Sequence, residues 1–354
     1  MLTLPEFQWV APTTLDELLA HLAEHGAESR IVAGGTDAVP NLKHRLHEPR
    51  YVVHIGSIAD LDFASRDAQG IHLGPLRTLS RIAADPELRR DLPGLAKAAG
   101  LVAGPQLRAM GTLGGNLCLD TRCTYYNQTF FWRQALGFCL KKDGTVCHVV
   151  PTGKRCVAAH SSDVAPMLIA LGAEIEIAGP GGRRTLPLDE FFVADGIHNN
   201  VLGPAEVVTR VTVPARSIGM RAGYQKLRPR EAIDFPMLSV AFAARVANGV
   251  CEDARLVVSA IAAKPRVIGG VGAAVAGKPL DTALAQSLGD MAYKQCHPLI
   301  NVPYDAAYRR EMVPVFVRRA VLEAAGFDAS GTDDAEGARP ADGAGGAAAS
   351  GGAA

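Results

Sequence analysis

No stretch of eighteen apolar residues occurs in the sequence, so nothing in it reads as a membrane-spanning helix. The opening residues, MLTLPEFQWVAP, lack a basic region followed by an apolar run, which argues against a secretory signal and places the chain in the cytoplasm. Net charge is absent too. The 36 Lys and Arg balance the 36 Asp and Glu, and no broad field favours nucleic acid or a membrane surface. The compact Cys-x2-Cys pairs of zinc ribbons and ferredoxins are missing. So are a Walker lysine and an alternating-glycine dinucleotide fingerprint. No acid–base dyad or nucleophile triad stands out, and no residue is assigned a catalytic role.

What is present suffices for a large core. The chain has 354 residues, 48% of them hydrophobic, enough for two or three domains. Thr14 and Glu17 have the spacing of a capping box ahead of a helix with Leu15, Leu18, Leu19 and Leu22 on its stripe, and Gly26 is its stop. Arg30–Ala33, Tyr51–Ile55 and Ile71–Leu73 read as strands, and Thr78–Ala84 as a helix. Residues 101–120 have loop composition. Val164–Leu171 is an apolar helical run, and Ala173–Ile177 a strand before a glycine-rich turn. Val208–Val213, Gly223–Leu227, Ser239–Val246 and Leu256–Ala262 are strand-like. Val267–Ala276 and Tyr308–Ala325 read as helices, the latter with Met312, Phe316 and Ala320 on one face. From Asp328 the chain is mostly Gly, Ala, Ser, Asp and Pro, the composition of a disordered tail.

Two glycine segments could serve a phosphate. Ala33-Gly34-Gly35-Thr36-Asp37 follows a strand, and its glycines let backbone N–H groups form an anion nest. Gly111-Thr112-Leu113-Gly114-Gly115-Asn116 is a second such segment. Either is equally readable as a tight structural turn. Between them and the C-terminal third lie five of the seven cysteines. Cys123, Cys139, Cys147 and Cys156 are spaced Cys-x15-Cys-x7-Cys-x8-Cys. Four thiolates suit an iron–sulfur cluster or tetrahedral zinc, and buried structural thiols are the alternative. Lys141, Lys142, Lys154 and Arg155 could offset thiolate charge, while Tyr125, Tyr126, Phe130, Phe131 and Trp132 could exclude water. His148 is a rival ligand or a hydrogen-bonded surface histidine.

The motifs IVAGGTD, TLGGN and SSDVAP, in this order and spacing, resemble the FAD-binding subunit of the xanthine dehydrogenase and carbon monoxide dehydrogenase family. The resemblance runs from about residue 4 to about residue 325. It implies an α+β fold: a two-part FAD-binding domain of the xanthine dehydrogenase medium-subunit type with a C-terminal α+β domain. The corresponding division is residues 1–56, 57–215 with an insert at about 119–158, 216–327, and a tail at 328–354. By position it implicates Ala33, Gly34, Gly35, Thr36 and Asp37 at the FAD pyrophosphate. Thr112, Gly115, Asn116 and Asp163 follow nearby, as does Lys226, which is otherwise a solvated strand-end lysine.

The cysteine segment is similar to that of the 4-hydroxybenzoyl-CoA reductase branch of the family, whose insert carries a 4Fe–4S cluster. That resemblance implies Cys123, Cys139, Cys147 and Cys156 as ligands. It also implies electrons passing from a ferredoxin-like donor through the cluster and FAD to 2Fe–2S clusters on a small subunit. From there they reach a molybdenum cofactor on a large one, in a dimer of heterotrimers. The other readings are the FAD subunit of a molybdenum hydroxylase oxidising an aromatic or heterocyclic substrate, a stand-alone flavoenzyme, and a zinc-stabilised scaffold.

Overall fold

The computed structural model describes residues 2–327; the tail expected from Asp328 onward lies outside the described residues. The fold is α+β and is built on three sheets.

The first sheet is parallel and three-stranded, in the order Gln8–Val10, Tyr51–His54, Ser29–Val32. Alternation along its central strand divides two small cores. Val53 packs on Leu18 and Leu22 of the helix Leu15–His25, while Val52 packs on Leu42 on the opposite face. That helix starts at the expected capping box. Thr14 Oγ1 accepts from the Glu17 N–H at 3.2 Å, and the Glu17 carboxylate accepts from the Thr14 N–H at 3.3 Å. Gly26 ends it for a different reason from the one expected. Its φ of −57° is ordinary right-handed helix. The position needs glycine because a Cβ there would lie 2.4 Å from the Pro204 carbonyl oxygen.

The second sheet is antiparallel and five-stranded, in the order Ala64–Arg66, Gly70–Leu73, Val207–Pro214, Glu174–Gly179, Gly182–Pro187. One face carries the largest core. It is filled from the helices Leu79–Ala84, Pro93–Gly100 and Val164–Ala170, the last of them buried at every residue. A helix with no polar face belongs in an interior, and this one lies between the second sheet and the third.

The third sheet is antiparallel: Arg266–Val267, Val250–Ser259, Leu238–Ala247, Arg221–Leu227. Leu238, Val240, Phe242 and Ala244 face the helix pair Thr282–Gln295 and Ala306–Ala325, while Ala241 and Ala243 join the core of the second sheet. The strand Leu238–Ala247 is thus covered on both faces, which explains its continuous apolar run.

Two further expectations are corrected. Residues 101–120 are not simply loop: Pro105–Met110 and Leu113–Leu117 are short helices, started by Pro105 at the first helical position and by the Thr112 cap. The helix expected at 267–276 shrinks to Val271–Val275, because Arg266–Val267 pairs with the sheet edge instead. The helices Pro86–Asp91, Pro93–Gly100 and Thr282–Gln295 went unforeseen. Among the described residues no helix is long and apolar enough to cross a membrane.

Candidate cofactor site

The strand Ser29–Val32 runs into Ala33–Asp37, and this loop touches the second glycine segment. A Cβ on Gly34 would lie 1.8 Å from the Met110 carbonyl oxygen. One on Gly111 would stand 3.5 Å from the Thr36 hydroxyl. Gly35 has φ +70°, a conformation that β-branched side chains avoid. Among the described residues no acceptor reaches the backbone N–H groups of Gly34, Gly35 and Thr36. They leave three successive donors unengaged, the requirement for holding an anionic group. Asp37 closes the loop. Its carboxylate accepts from Asn41 at 2.9 Å and pairs with Arg122, whose guanidinium also lies over the Phe235 ring at 4.0 Å.

The second segment is a capped turn. Thr112 Oγ1 accepts from the Gly115 N–H at 3.1 Å and starts the helix Leu113–Leu117. Asn116 ties it to the third motif: its side-chain oxygen accepts from the Ser162 hydroxyl at 2.7 Å and from the Val164 N–H at 3.2 Å, both buried. Three motifs far apart in sequence therefore form one continuous structure.

Asp163 and Lys226 meet within it. Lys226 Nζ lies 2.8 Å from the Asp163 carboxylate, with side chains only 1% and 3% exposed. The solvated strand-end reading of Lys226 is thereby excluded. Tyr224 donates its hydroxyl to the same carboxylate at 3.0 Å, and Lys226 also donates to the Leu101 carbonyl at 3.1 Å. Burial pushes the Asp163 carboxyl up, and Lys226 and Tyr224 offset this only in part. Burial likewise pulls the Lys226 ammonium down against the attraction of Asp163. The couple is a desolvated pair held by geometry. Behind it, His160 is fully buried with Nδ1 3.0 Å from the Ser259 hydroxyl, and burial lowers its pKa to about 3. Its Nε2 has no partner among the described residues. Tyr224, Arg122 and Met110 were not singled out in the sequence. Tyr224 lies two residues before Lys226 on the same face of a strand, and that spacing was the one available signal.

Residues 5–216 match the family described as the FAD binding domain in molybdopterin dehydrogenase, and residues 223–324 match the carbon monoxide dehydrogenase flavoprotein C-terminal domain. The chain belongs to this flavoprotein family. It is 26% identical over 317 residues to the carbon monoxide dehydrogenase medium chain of Hydrogenophaga pseudoflava, covering 90% of this chain and 96% of that one. It is 25% identical over 321 residues to the nicotine 6-hydroxylase medium subunit of Paenarthrobacter nicotinovorans, covering 91% and 98%. The solved carbon monoxide dehydrogenase of Hydrogenophaga pseudoflava superposes with a TM-score of 0.75 at 26% identity, over 91% of this chain and 98% of that one. The α+β architecture of the molybdopterin dehydrogenase medium subunit is thus the architecture of this chain.

The cysteine segment departs from expectation. Cys123, Cys139, Cys147 and Cys156 do converge, lining one small cavity. Yet among the described residues no group of three or more His, Cys, Asp or Glu is arranged to hold a metal ion. The cavity measures about 20 Å³, room for about one water. Burial pushes the Cys123 thiol up to about 11 and raises Cys156 as well. The expected 4Fe–4S cluster is therefore withdrawn, and zinc with it. The narrower assignment to the 4-hydroxybenzoyl-CoA reductase branch rested on that cluster and falls too. The family matches carry the chain to the flavoprotein family and no further.

The surroundings fit this correction. Of the aromatics expected to exclude water, Tyr126 is buried, but Phe131 is 80% exposed and Phe130 and Trp132 are exposed beside it. Lys141 is spent on Asp120 at 2.7 Å and on the Thr121 hydroxyl and Gly196 carbonyl, and Lys142 on Asp143. Lys154 and Arg155 face outward. His148 hydrogen-bonds to the Phe138 carbonyl. Cys118, outside the quartet, is pushed by burial up to about 12, as is Cys296.

Proposed function

We propose that this chain is the FAD-carrying, electron-transferring subunit of a molybdenum hydroxylase-type oxidoreductase acting on an aromatic or heterocyclic substrate. The observation that carries the reading is the junction of three motifs: Gly34 packed on Met110, and Asn116 bonded to Ser162. Relatives named as nicotine 6-hydroxylase, nicotinate dehydrogenase and caffeine dehydrogenase subunits support the substrate class.

Gly34, Gly35 and Thr36 would offer N–H groups to the pyrophosphate, with Ala33 and Asp37 shaping the loop. Thr112, Gly115 and Asn116 would line the other side. Asp163 and Lys226 would present a fixed charge pair next to the cofactor, with Tyr224 holding the carboxylate in place. When bound, FAD supplies the exchange of one or two electrons. The chain's own part is to bind, orient and keep water from that group. With no acid–base or nucleophilic set assigned, substrate chemistry belongs to a large molybdenum-cofactor subunit, reached through a small 2Fe–2S subunit, in a dimer of heterotrimers. A soluble ferredoxin-like carrier completes the proposal. The division into residues 1–56, 57–215 and 216–327 is proposed along with it, supported by the separate sheets.

Flavin extracted from the purified chain and identified by chromatography tests the reading. FAD at about one per chain is expected; FMN, or no flavin after reconstitution with FAD, would overturn it.

A further inference from the structure

A second opening lies away from this junction, between the strand Ser29–Val32, the segment 46–50 and the insert. Its volume is about 580 Å³, within the range of small-molecule sites. Pro49 and the exposed Ile197 supply its accessible apolar wall, Leu46 and Tyr126 are almost fully buried, and His47 lies beside them.

The charges lining it are paired, with one exception. Asp120 takes Lys141 at 2.7 Å, His47 at 3.3 Å and the Tyr126 hydroxyl at 2.8 Å. Arg50 pairs with Glu28, Glu48 with Arg45, and Lys142 with Asp143. Arg30 has no ion-pair or hydrogen-bond partner among the described residues, although it is half-buried and faces the opening. Strand alternation explains the direction. Ile31 joins the core shared with the first helix, so Arg30 and Val32 point to the other face. A guanidinium carries five N–H donors and stays charged. Left half-buried without an acceptor beside an apolar wall, it is matched to an anionic group on a flat apolar body.

We propose that this cleft is a separate binding site for a small organic anion, a single phosphate or carboxylate on an aromatic or similarly flat frame, anchored by Arg30. It is independent of the flavin assignment, because none of the residues assigned to FAD lines the cleft.

Isothermal titration of the full, FAD-loaded chain with phenyl phosphate at low ionic strength tests this, with inorganic phosphate as the second probe. One site per chain is expected, with phenyl phosphate bound more tightly than phosphate. Arg30→Gln should weaken it at least about tenfold, from the loss of a charge-assisted hydrogen bond. Arg30→Lys should fall between, keeping the charge and losing the planar fork. Flavin content and the melting temperature should stay as in the parent, and Arg245→Gln, exposed on the C-terminal domain, should bind normally. Absence of binding, or equal binding by Arg30→Gln, would overturn the proposal. Binding to the flavin-free chain alone would also overturn it, by making the cleft part of the cofactor's own site. Equal affinity for inorganic phosphate would overturn the flat-frame specificity.

Discussion

Acidification should destabilise this protein through His160 in particular. The ring is fully buried, its Nδ1 engaged by Ser259 and its Nε2 without a partner among the described residues, so a second proton has no acceptor waiting. Burial holds its pKa at about 3, against 6.5 for a free imidazole. Between those values the unfolded chain binds a proton that the folded chain refuses. Stability is therefore unaffected above pH 6.5, falls as pH drops through the window, and stops falling below the folded value. One pKa unit corresponds to about 1.4 kcal/mol, so the penalty at pH 5 is roughly 2 kcal/mol. Urea unfolding at pH 7.5 and pH 5, in the parent and in His160→Gln, isolates the effect. Both proteins lose stability in acid through other groups, but the parent should lose roughly 2 kcal/mol more than the variant. His160→Leu, which like His160→Gln cannot titrate, should behave like it even if it starts from a lower stability. Equal losses in all three would refute the assignment of a neutral, proton-excluding histidine.

Other expectations follow from the same geometry. Gly34→Val should abolish FAD retention on a gel-filtration column, because the new Cβ meets main chain at Met110. Gly181→Ala, with nothing within 4 Å, should retain flavin like the parent. Removing one partner of the buried couple, by Asp163→Asn or Lys226→Met, should cost about 3–5 kcal/mol in chemical denaturation. The double variant should cost less than the sum of the two, which a double-mutant cycle would detect. Arg309→Met should lower stability by more than about 3 kcal/mol, because among the described residues only Arg309 serves the carbonyls of Met237, Leu299 and Ala260; a smaller loss would mean that water replaces it.

Elements with a local code were legible in the sequence. The capping box at Thr14 and Glu17 placed the first helix, and the continuous apolar run placed Val164–Ala170. One local signal went unread: Asn248-Gly249, with φ of 52° and 80°, joins two long strands through a two-residue turn. Elsewhere the deciding contact is remote. The helix Thr282–Gln295 is hard to read because Gly289 interrupts its pattern, and that glycine is explained only by the close approach of Pro314 from the next helix. Gly34 needs Met110, and Lys226 needs Asp163, before either residue has a defined role. The cysteine spacing led to a metal because spacing says nothing about cavity volume or thiol ionisation. Those properties arise from burial of the thiols among Tyr125, Tyr126, Leu140 and Val157 around the cavity.

The exchange of backbone hydrogen bonds between Arg122 and Ala159, at 2.8 and 2.7 Å, has a practical consequence. It brings the two ends of the cysteine segment to the spacing of neighbouring strands, a gap that a short hairpin turn can span. Residues 123–158 therefore leave and re-enter the fold at one point, and in between they are held to it by Lys141 on Asp120 and Gly196 and by Arg133 on the His44 and Arg45 carbonyls. Splicing them out would leave Asn116 still bonded to Ser162, since both lie outside the closure. The closure entropy of a longer or shorter segment at this doorway would differ only slowly with length, whereas losing Lys141 and Tyr126 would leave the Asp120 carboxylate with His47 alone.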